Sequence, residues 1–286
     1  MQTVTPNLIA LDSVPSTSSY LATIADTLPD GTVVVTREQT AGRGQRGNSW
    51  EAEPGANLTF SLLLRPEGVK AVEQFAISEA VALGIVTALQ AYMPGVDVRI
   101  KWPNDIYANG RKICGILIEN AILGTEIRRS IAGIGINVNQ TVWRSDAPNP
   151  VSMAQLTGKT FDLDTLLTDV FRAIYAELSN PNHDAVGVAS DRQAEESVAS
   201  DRHRVKDEDV ILDRHSLKVG NVASDRHSRY MAALWGRDAL TYRDTATGEI
   251  FRASIASIAP DGMMTLAPLD GSPYRTYAFK EVAVIL

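Results

Sequence analysis

Three glycines and two arginines alternate in a stretch that ends on tryptophan, Gly42-Arg43-Gly44-Gln45-Arg46-Gly47-Asn48-Ser49-Trp50. Glycines let a backbone approach a ligand closely, and guanidinium forks match carboxylate and phosphate. The run fits G-x-G-x-x-G, the dinucleotide fingerprint, and a β-branched strand at Thr32–Thr36 precedes it. No helical pattern follows, however. Pro54-Gly55 and a second strand come next, so no helix N-terminus is there to receive a pyrophosphate. The P-loop pattern G-x-x-x-x-G-K-[ST] fails in the same way, with Asn48 where it needs lysine. What remains is either a solvated turn or a glycine-jointed, positively charged loop that closes over an anion.

Three further motifs lie downstream. Lys101-Trp102-Pro103-Asn104-Asp105 places a cation, an aromatic ring, an amide and a carboxylate at a strand-to-turn junction. Asn and Asp favour turns on their own account, so an ordinary turn is the plain reading. In Lys112-Ile113-Cys114-Gly115-Ile116-Leu117-Ile118-Glu119 a lysine enters an apolar strand, and Gly115 thins the wall beside it. Glycine inside a strand often marks close approach of a ligand or another backbone, whereas Cys114 reads as a small core residue. Gly133-Ile134-Gly135-Ile136-Asn137-Val138-Asn139 puts two glycines and two amides at a strand end. Four such motifs in one region are hard to explain as structure alone.

The elements that must hold these motifs follow from periodicity. Tyr20, Leu21, Ile24, Ala25 and Leu28 recur at helical spacing after several serine and threonine caps. Leu58–Leu64 reads as a strand, and Ala71–Tyr92 as a buried helix closed by Pro94-Gly95. Short strands are predicted around Val98–Lys101, Ile106–Tyr107, Lys112–Asn120 and Arg128–Val138, with Asn109-Gly110 as a hairpin turn. Leu163–Leu178 is an amphipathic helix behind Asp162 or Asp164. This order argues an α+β fold on an antiparallel or mixed sheet.

Between about Val186 and Ser228 the units VASDRQ, VASDRH, LDRHS and VASDRHS repeat irregularly and hold three of the four histidines. The units are too short for a solenoid and carry little apolar surface, which predicts a mobile insert. A histidine metal site is the sharper alternative, without cysteines or fixed spacing to support it. Alternating runs after Tyr230, separated by Thr247-Gly248, Asp261-Gly262 and Asp270-Gly271, predict a meander or barrel of about five strands. The expected organisation is a domain over 1–185, the insert over 186–228, and a small β domain over 229–286.

The chain has 286 residues, 44% hydrophobic and 21% charged, enough to fill a core of one large domain or two. A formal charge of −7 disfavours general nucleic-acid binding. One cysteine forms no internal disulfide, and the N-terminus lacks a signal-peptide pattern. No run is read as approaching the ~20 apolar residues of a bilayer span, so a soluble protein of the cytoplasm, with no membrane partner, is expected.

Taken in order, Ser16-Thr17-Ser18-Ser19-Tyr20-Leu21, Gln39-Thr40-Ala41 with the glycine loop, KWPND, KICGILIE and GIGINVN resemble the biotin–protein ligases. The match runs over roughly Ser13 to Leu178. The resemblance implies a mixed sheet with helices of the class II synthetase and biotin-ligase type, plus a small C-terminal SH3-like β-barrel. It also implies two steps, in which biotin and Mg-ATP give biotinyl-5′-adenylate and the acyl group then passes to a lysine of a biotin carboxyl carrier protein.

By that match Arg43 and Lys112 are the catalytic cations. Ser16, Thr17, Ser18, Gln39, Gly42, Gly44, Gln45 and Gly115 join them around biotin. Arg46, Trp50, Lys101, Asn104 and Asn137 belong to the ATP side, with Mg²⁺ carried on the ATP phosphates beside Asn137. Gln45 and Asn48 stand where the family often has arginine, which implies weaker retention of the adenylate. The first motif begins at Ser16, which implies the short form without an N-terminal helix-turn-helix domain and no specific DNA binding. A homodimer stays open. A lipoate or octanoate protein ligase of the same fold, and a non-catalytic biotin sensor, are the alternatives.

Overall fold

The structure is a computed structural model, and it describes residues 5–44, 48–145, 148–179 and 223–285. Among these, a seven-stranded sheet is built from β1 (Asn7–Val14), β2 (Thr32–Gln39), β3 (Leu58–Leu64), β4 (Val98–Lys101), β5 (Asp105–Ala108), β6 (Arg111–Leu123) and β7 (Glu126–Ile136). Its order is β1-β2-β3-β7-β6-β5-β4. Only β1–β2 is parallel, which makes the sheet mixed. Asn109 and Gly110 both take positive φ, 48° and 73°, as a two-residue β5–β6 hairpin requires.

The two faces of the sheet are used differently. Phe60, Leu62, Cys114, Ile116, Ala132 and Ile134 face one way into the main core, beneath α2 (Phe75–Tyr92) and α4 (Leu163–Leu178). On the other face α1 (Thr17–Ile24) covers Val34, Leu63 and Ile131 with Leu21, and leaves the rest of that face to the functional motifs. The segment Ala71–Tyr92 has a mean hydropathy of 1.5 and is long and apolar enough to cross a bilayer, contrary to the expectation above. It is 67% buried inside the protein, where an all-round apolar helix is wanted between sheet and partner helices.

Besides the helix over Ala223–Ala233, described below, sequence periodicity missed a strand and a short helix. β1 pairs in parallel with β2 across α1, a non-local pairing its half-exposed sequence does not announce. Helix α3 (Met153–Thr157) is one short turn held by a Ser152–Gln155 capping box and ended by Gly158 at φ 69°.

The expected mobile insert needs correction at its end. The last repeat unit lies largely within α5 (Ala223–Ala233), packed on α2 and α4, while residues 186–222 lie outside the described residues. The polar DRH residues find partners there. Arg226 donates to Glu177 O at 2.6 Å, and His227 Nδ1 lies 2.7 Å from Glu79 Oε1. Arg229 forks onto the Glu177 carboxylate, and Tyr230 is fully buried with its ring edge-on to Phe75.

The hydrogen bond and charge of Glu79 hold the His227 imidazole above its ordinary pKa, against an opposing effect of burial. Glu79 on α2, Glu177 on α4, and Asp225, Arg226 and Arg229 on α5 are the charged groups around it. A raised folded pKa adds stability that is complete below the unfolded value of about 6.5 and disappears as pH rises through the folded value. Wild type is therefore expected to lose more thermal stability between about pH 6 and about pH 8.5 than His227→Gln does. The difference, under ~1 kcal/mol because the imidazole is 41% exposed although Glu79 is buried, is read from paired melting curves.

The remaining strands, β8 (Leu240–Asp244), β9 (Ile250–Ile258), β10 (Met264–Pro268), β11 (Arg275–Tyr277) and β12 (Val282–Val284), form an antiparallel sheet of order β11-β10-β9-β8-β12. Tyr242, Phe251 and Tyr277 stack through it. It is tied to the large sheet by Trp102 Nε1, which donates to Gly262 O at 3.1 Å, and by the Trp102 ring edge-on to Phe279. Trp102 of the KWPND motif is thus a joint between the two sheets.

Candidate active site

Strand register gathers the motifs. Residues directly opposite across strands share a face, and Lys101↔Asp105, Asp105↔Gly115, Gly115↔Gly135 and Gly135↔Thr59 are opposite pairs. One cross-strand row thus carries residues from KWPND, KICGILIE and GIGINVN. The next row on this face is Leu117, Gly133 and Ser61.

Simple alternation would put Lys112 on the opposite face from Gly115. The β5–β6 register shifts between Ile106↔Cys114 and Tyr107↔Lys112, so Ile113 is an extra residue in β6. This bulge turns Lys112 back over the glycines while Ile113 and Cys114 stay in the core. The Lys112 backbone is clamped in place. Its N–H donates to Asn149 O, and its carbonyl accepts from Val151 N and Asn137 Nδ2.

The glycines form a floor on which Trp50 lies. A Cβ on Gly135 would sit 2.3 Å from the indole, and one on Gly115 2.8 Å from it. Above the ring, Lys112 Nζ is 5.7 Å from the centroid and pairs with Asp105 Oδ1 at 2.7 Å. Lys101 Nζ sits 5.2 Å over the Tyr107 ring, and burial lowers its pKa against the attraction of Asp105. Asn104 donates one amide hydrogen to Ile116 O, which fixes the KWPND turn to β6. Asn137 is 2% exposed and gives Nδ2 to both Lys112 O and Val151 O, leaving its Oδ1 buried without a partner among the described residues.

The opposite end of the cleft is polar and neutral. Gln39 Oε1 accepts from Thr17 N at 2.9 Å and Thr17 Oγ1 at 3.1 Å. Thr17 and Ser18 each share a 2.8 Å hydrogen bond with Ser61 Oγ. Ser16 caps α1 through Ser19 N. α1 comes close to the floor here, since a Cβ on Gly133 would lie 2.4 Å from Ser18 Oγ.

All of this lines one cleft of about 790 Å³, which holds Ser16, Thr17, Ser18, Gln39, Arg43, Gly44, Trp50, Lys101, Asn104, Lys112, Gly115 and Asn137. Gly42 sits just behind it, where a Cβ would lie 2.6 Å from Trp50 O. Gln45 and Arg46 lie outside the described residues. Arg43 Nη2 pairs with Glu119 Oε2 at 2.6 Å.

Sequence reasoning missed several lining residues, Thr59, Trp143, and Phe279 from the second sheet, and it gave no role to the Asp105 carboxylate of the KWPND motif. It also missed Ser61, which is fully buried and central to the polar end. A lone serine inside the apolar strand LTFSLLL was a usable signal for Ser61. Nothing local announces Phe279.

Known proteins resemble this chain in sequence and in fold. The sequence profile of the Biotin/lipoate A/B protein ligase family matches residues 10–137. The chain is 35% identical over 187 residues to a biotin–[acetyl-CoA-carboxylase] ligase of Paracoccus denitrificans, covering 63% of this chain and 75% of that one. It is 37% identical over 163 residues to the bifunctional ligase/repressor BirA of Bacillus spizizenii, covering 54% of this chain. The match takes in 49% of that relative, so the chain spans about half its length. In three dimensions the fold resembles the biotin protein ligase of Aquifex aeolicus solved with biotin and ATP, at a TM-score of 0.67, 21% identity and 98% coverage of both chains.

Proposed function

The chain belongs to the biotin–protein ligase family, and from that premise we propose that it activates biotin as biotinyl-5′-AMP and transfers it to a lysine of a biotin carboxyl carrier protein. One observation carries this reading. A neutral polar pocket and a set of cations stand at opposite ends of a glycine floor in a single cleft.

The neutral end suits a ureido ring, which both donates and accepts hydrogen bonds. An aliphatic acyl chain makes no use of buried hydroxyls, and this favours biotin over lipoate or octanoate. The cationic end suits the reaction. Biotin's carboxylate is ionised at neutral pH and needs no general base. Its oxygen attacks the α-phosphorus of ATP, the α–β bridging bond breaks, and pyrophosphate leaves. The acceptor amine then attacks the acyl carbon, loses a proton, and AMP leaves.

Two anions must meet in the first step, and Arg43, Lys101 and Lys112 offset their repulsion. Asp105 holds the Lys112 ammonium in place beside the floor. Both Asn137 amide hydrogens are spent within the protein, so the phosphate role expected of it reduces to its oxygen. That oxygen suits a cation. Among the described residues no cluster of three or more His, Cys, Asp or Glu side chains is placed to hold a metal. Magnesium, carried on the ATP phosphates, would have Asn137 Oδ1 as the protein oxygen to hold it if that side chain turns toward the cleft.

Thr17→Val keeps the shape of the polar end but removes the hydroxyl linking Gln39 to Ser61. The KM for biotin is expected to rise about tenfold, the worth of one or two hydrogen bonds, with a smaller change in kcat. Mass spectrometry of a carrier domain incubated with the protein, ATP, Mg²⁺ and biotin tests the whole reading. One biotin on one lysine supports it; modification by lipoate in place of biotin overturns it.

A further inference from the structure

Glu119 closes the KICGILIE motif, yet adenylation and transfer as described give it nothing to do. It stands on the same face of β6 as Gly115 and Leu117, two residues past Leu117, which lines the cleft. There its carboxylate meets the glycine loop. Arg43 Nη1 donates to Oε1 at 3.2 Å and Nη2 to Oε2 at 2.6 Å, a two-point fork that fixes the plane of the guanidinium. The first foot of the loop is bonded elsewhere, Thr40 N to Val14 O and Ala41 N to Pro15 O at the end of β1, and the far foot closes back on the loop, Trp50 N to Gly42 O. Among the described residues, the Arg43–Glu119 pair is the ion pair that ties this loop to β6, beside Trp50 lying on the glycine floor.

We propose that Glu119 is a positioning residue for Arg43: it holds the guanidinium over the rim, so that retention of an anionic intermediate depends on a carboxylate that never touches it. A guanidinium forked onto Glu119 through one hydrogen of each terminal nitrogen still has its Nε–H and two outer hydrogens to give. Both side chains are about half exposed, 44% and 45%, so the pair adds little to global stability. Its effect is on where Arg43 points.

The inference rests on the ligase reading, and the test separates the two. Enzyme loaded with biotin and ATP is chased with unlabelled biotin, and escape of the labelled acyl-adenylate is timed. Glu119→Gln is expected to speed escape on the order of fivefold. The rate of pyrophosphate release is expected to change less, and the difference from wild type should fade at about 1 M salt. On an Arg43→Ala background the same substitution should change nothing, because the residue it positions is gone. A wild type that forms no acyl-adenylate overturns the ligase reading together with this inference. A wild type that forms it, with Glu119→Gln holding it as well, or leaking equally in the Arg43→Ala background, overturns this inference alone.

Discussion

Lys112→Ala is expected to slow ATP-dependent pyrophosphate release by about 10²–10³-fold, the loss that follows removal of one preorganised electrostatic contact from a transition state. The size follows from the placement. Lys112 reaches the cleft only because the bulge at Ile113 turns it there, and Asn149, Val151 and Asn137 hold its backbone. Its ammonium is paired with Asp105 at 2.7 Å and partly shielded from water, so its charge acts through a medium less screening than bulk solvent. Lys112→Ala also leaves the Asp105 carboxylate unpaired in the cleft, an added repulsion for biotin and ATP. Lys112→Ala with Asp105→Asn should therefore recover part of the loss, and single-turnover pyrophosphate release with all three proteins measures it. Near-normal release by Lys112→Ala would remove the lysine from the proposed chemistry. No recovery in the double variant would mean that Asp105 acts in some way other than by holding the ammonium.

Periodicity in the sequence located the elements that periodicity governs. Helix α4 has its predicted bounds, Leu163–Leu178, and Asp162 is the cap, accepting from Thr165 N. The strands carrying the three downstream motifs fall within a few residues of expectation because alternation and the Asn109-Gly110 turn are local signals. β1 was not legible, since its partner lies beyond a helix and nothing within Asn7–Val14 says so. α5 was hidden because its Arg226, His227 and Arg229 read as solvated until Glu79 and Glu177, about fifty to a hundred and fifty residues earlier, supply the partners.

The site divides the same way. Glycines and cations advertise themselves by type, and register then places Lys101, Asp105, Gly115 and Gly135 in one row. The bulge that aims Lys112, the hydroxyl relay through Ser61 and the approach of Phe279 are consequences of tertiary pairing. No spacing within a single segment encodes them.

Gly84→Ala is expected to destabilise the fold, although alanine in a helix interior gains ~1 kcal/mol over glycine. Gly84 lies mid-way along α2, where α4 crosses it. A Cβ there would sit 2.5 Å from Ile174 Cα, 2.6 Å from Ile174 N and 2.9 Å from Ala173 C. These are backbone atoms, which cannot turn aside as a side chain can, so the helices must separate. Leu166, Leu167, Val170, Phe171 and Ile174 pin α4 into the same core and resist the shift. Overpacking of this kind costs about 1–3 kcal/mol or more, and against rigid backbone the upper end applies, so the net sign is unfavourable by ~1–2 kcal/mol. Urea unfolding should show a lower midpoint with unchanged slope for Gly84→Ala and a larger fall for Gly84→Val. The α2–α4 layer lies on the face of the sheet opposite the cleft, so ligand binding stays close to normal. Biotin at a hundred times its dissociation constant would then return about 2.7 kcal/mol to wild type and variant alike. A Gly84→Ala protein as stable as wild type would mean that the two helices do not approach as closely as this packing requires; one that biotin fails to stabilise would mean that damage at the helix crossing reaches through the sheet.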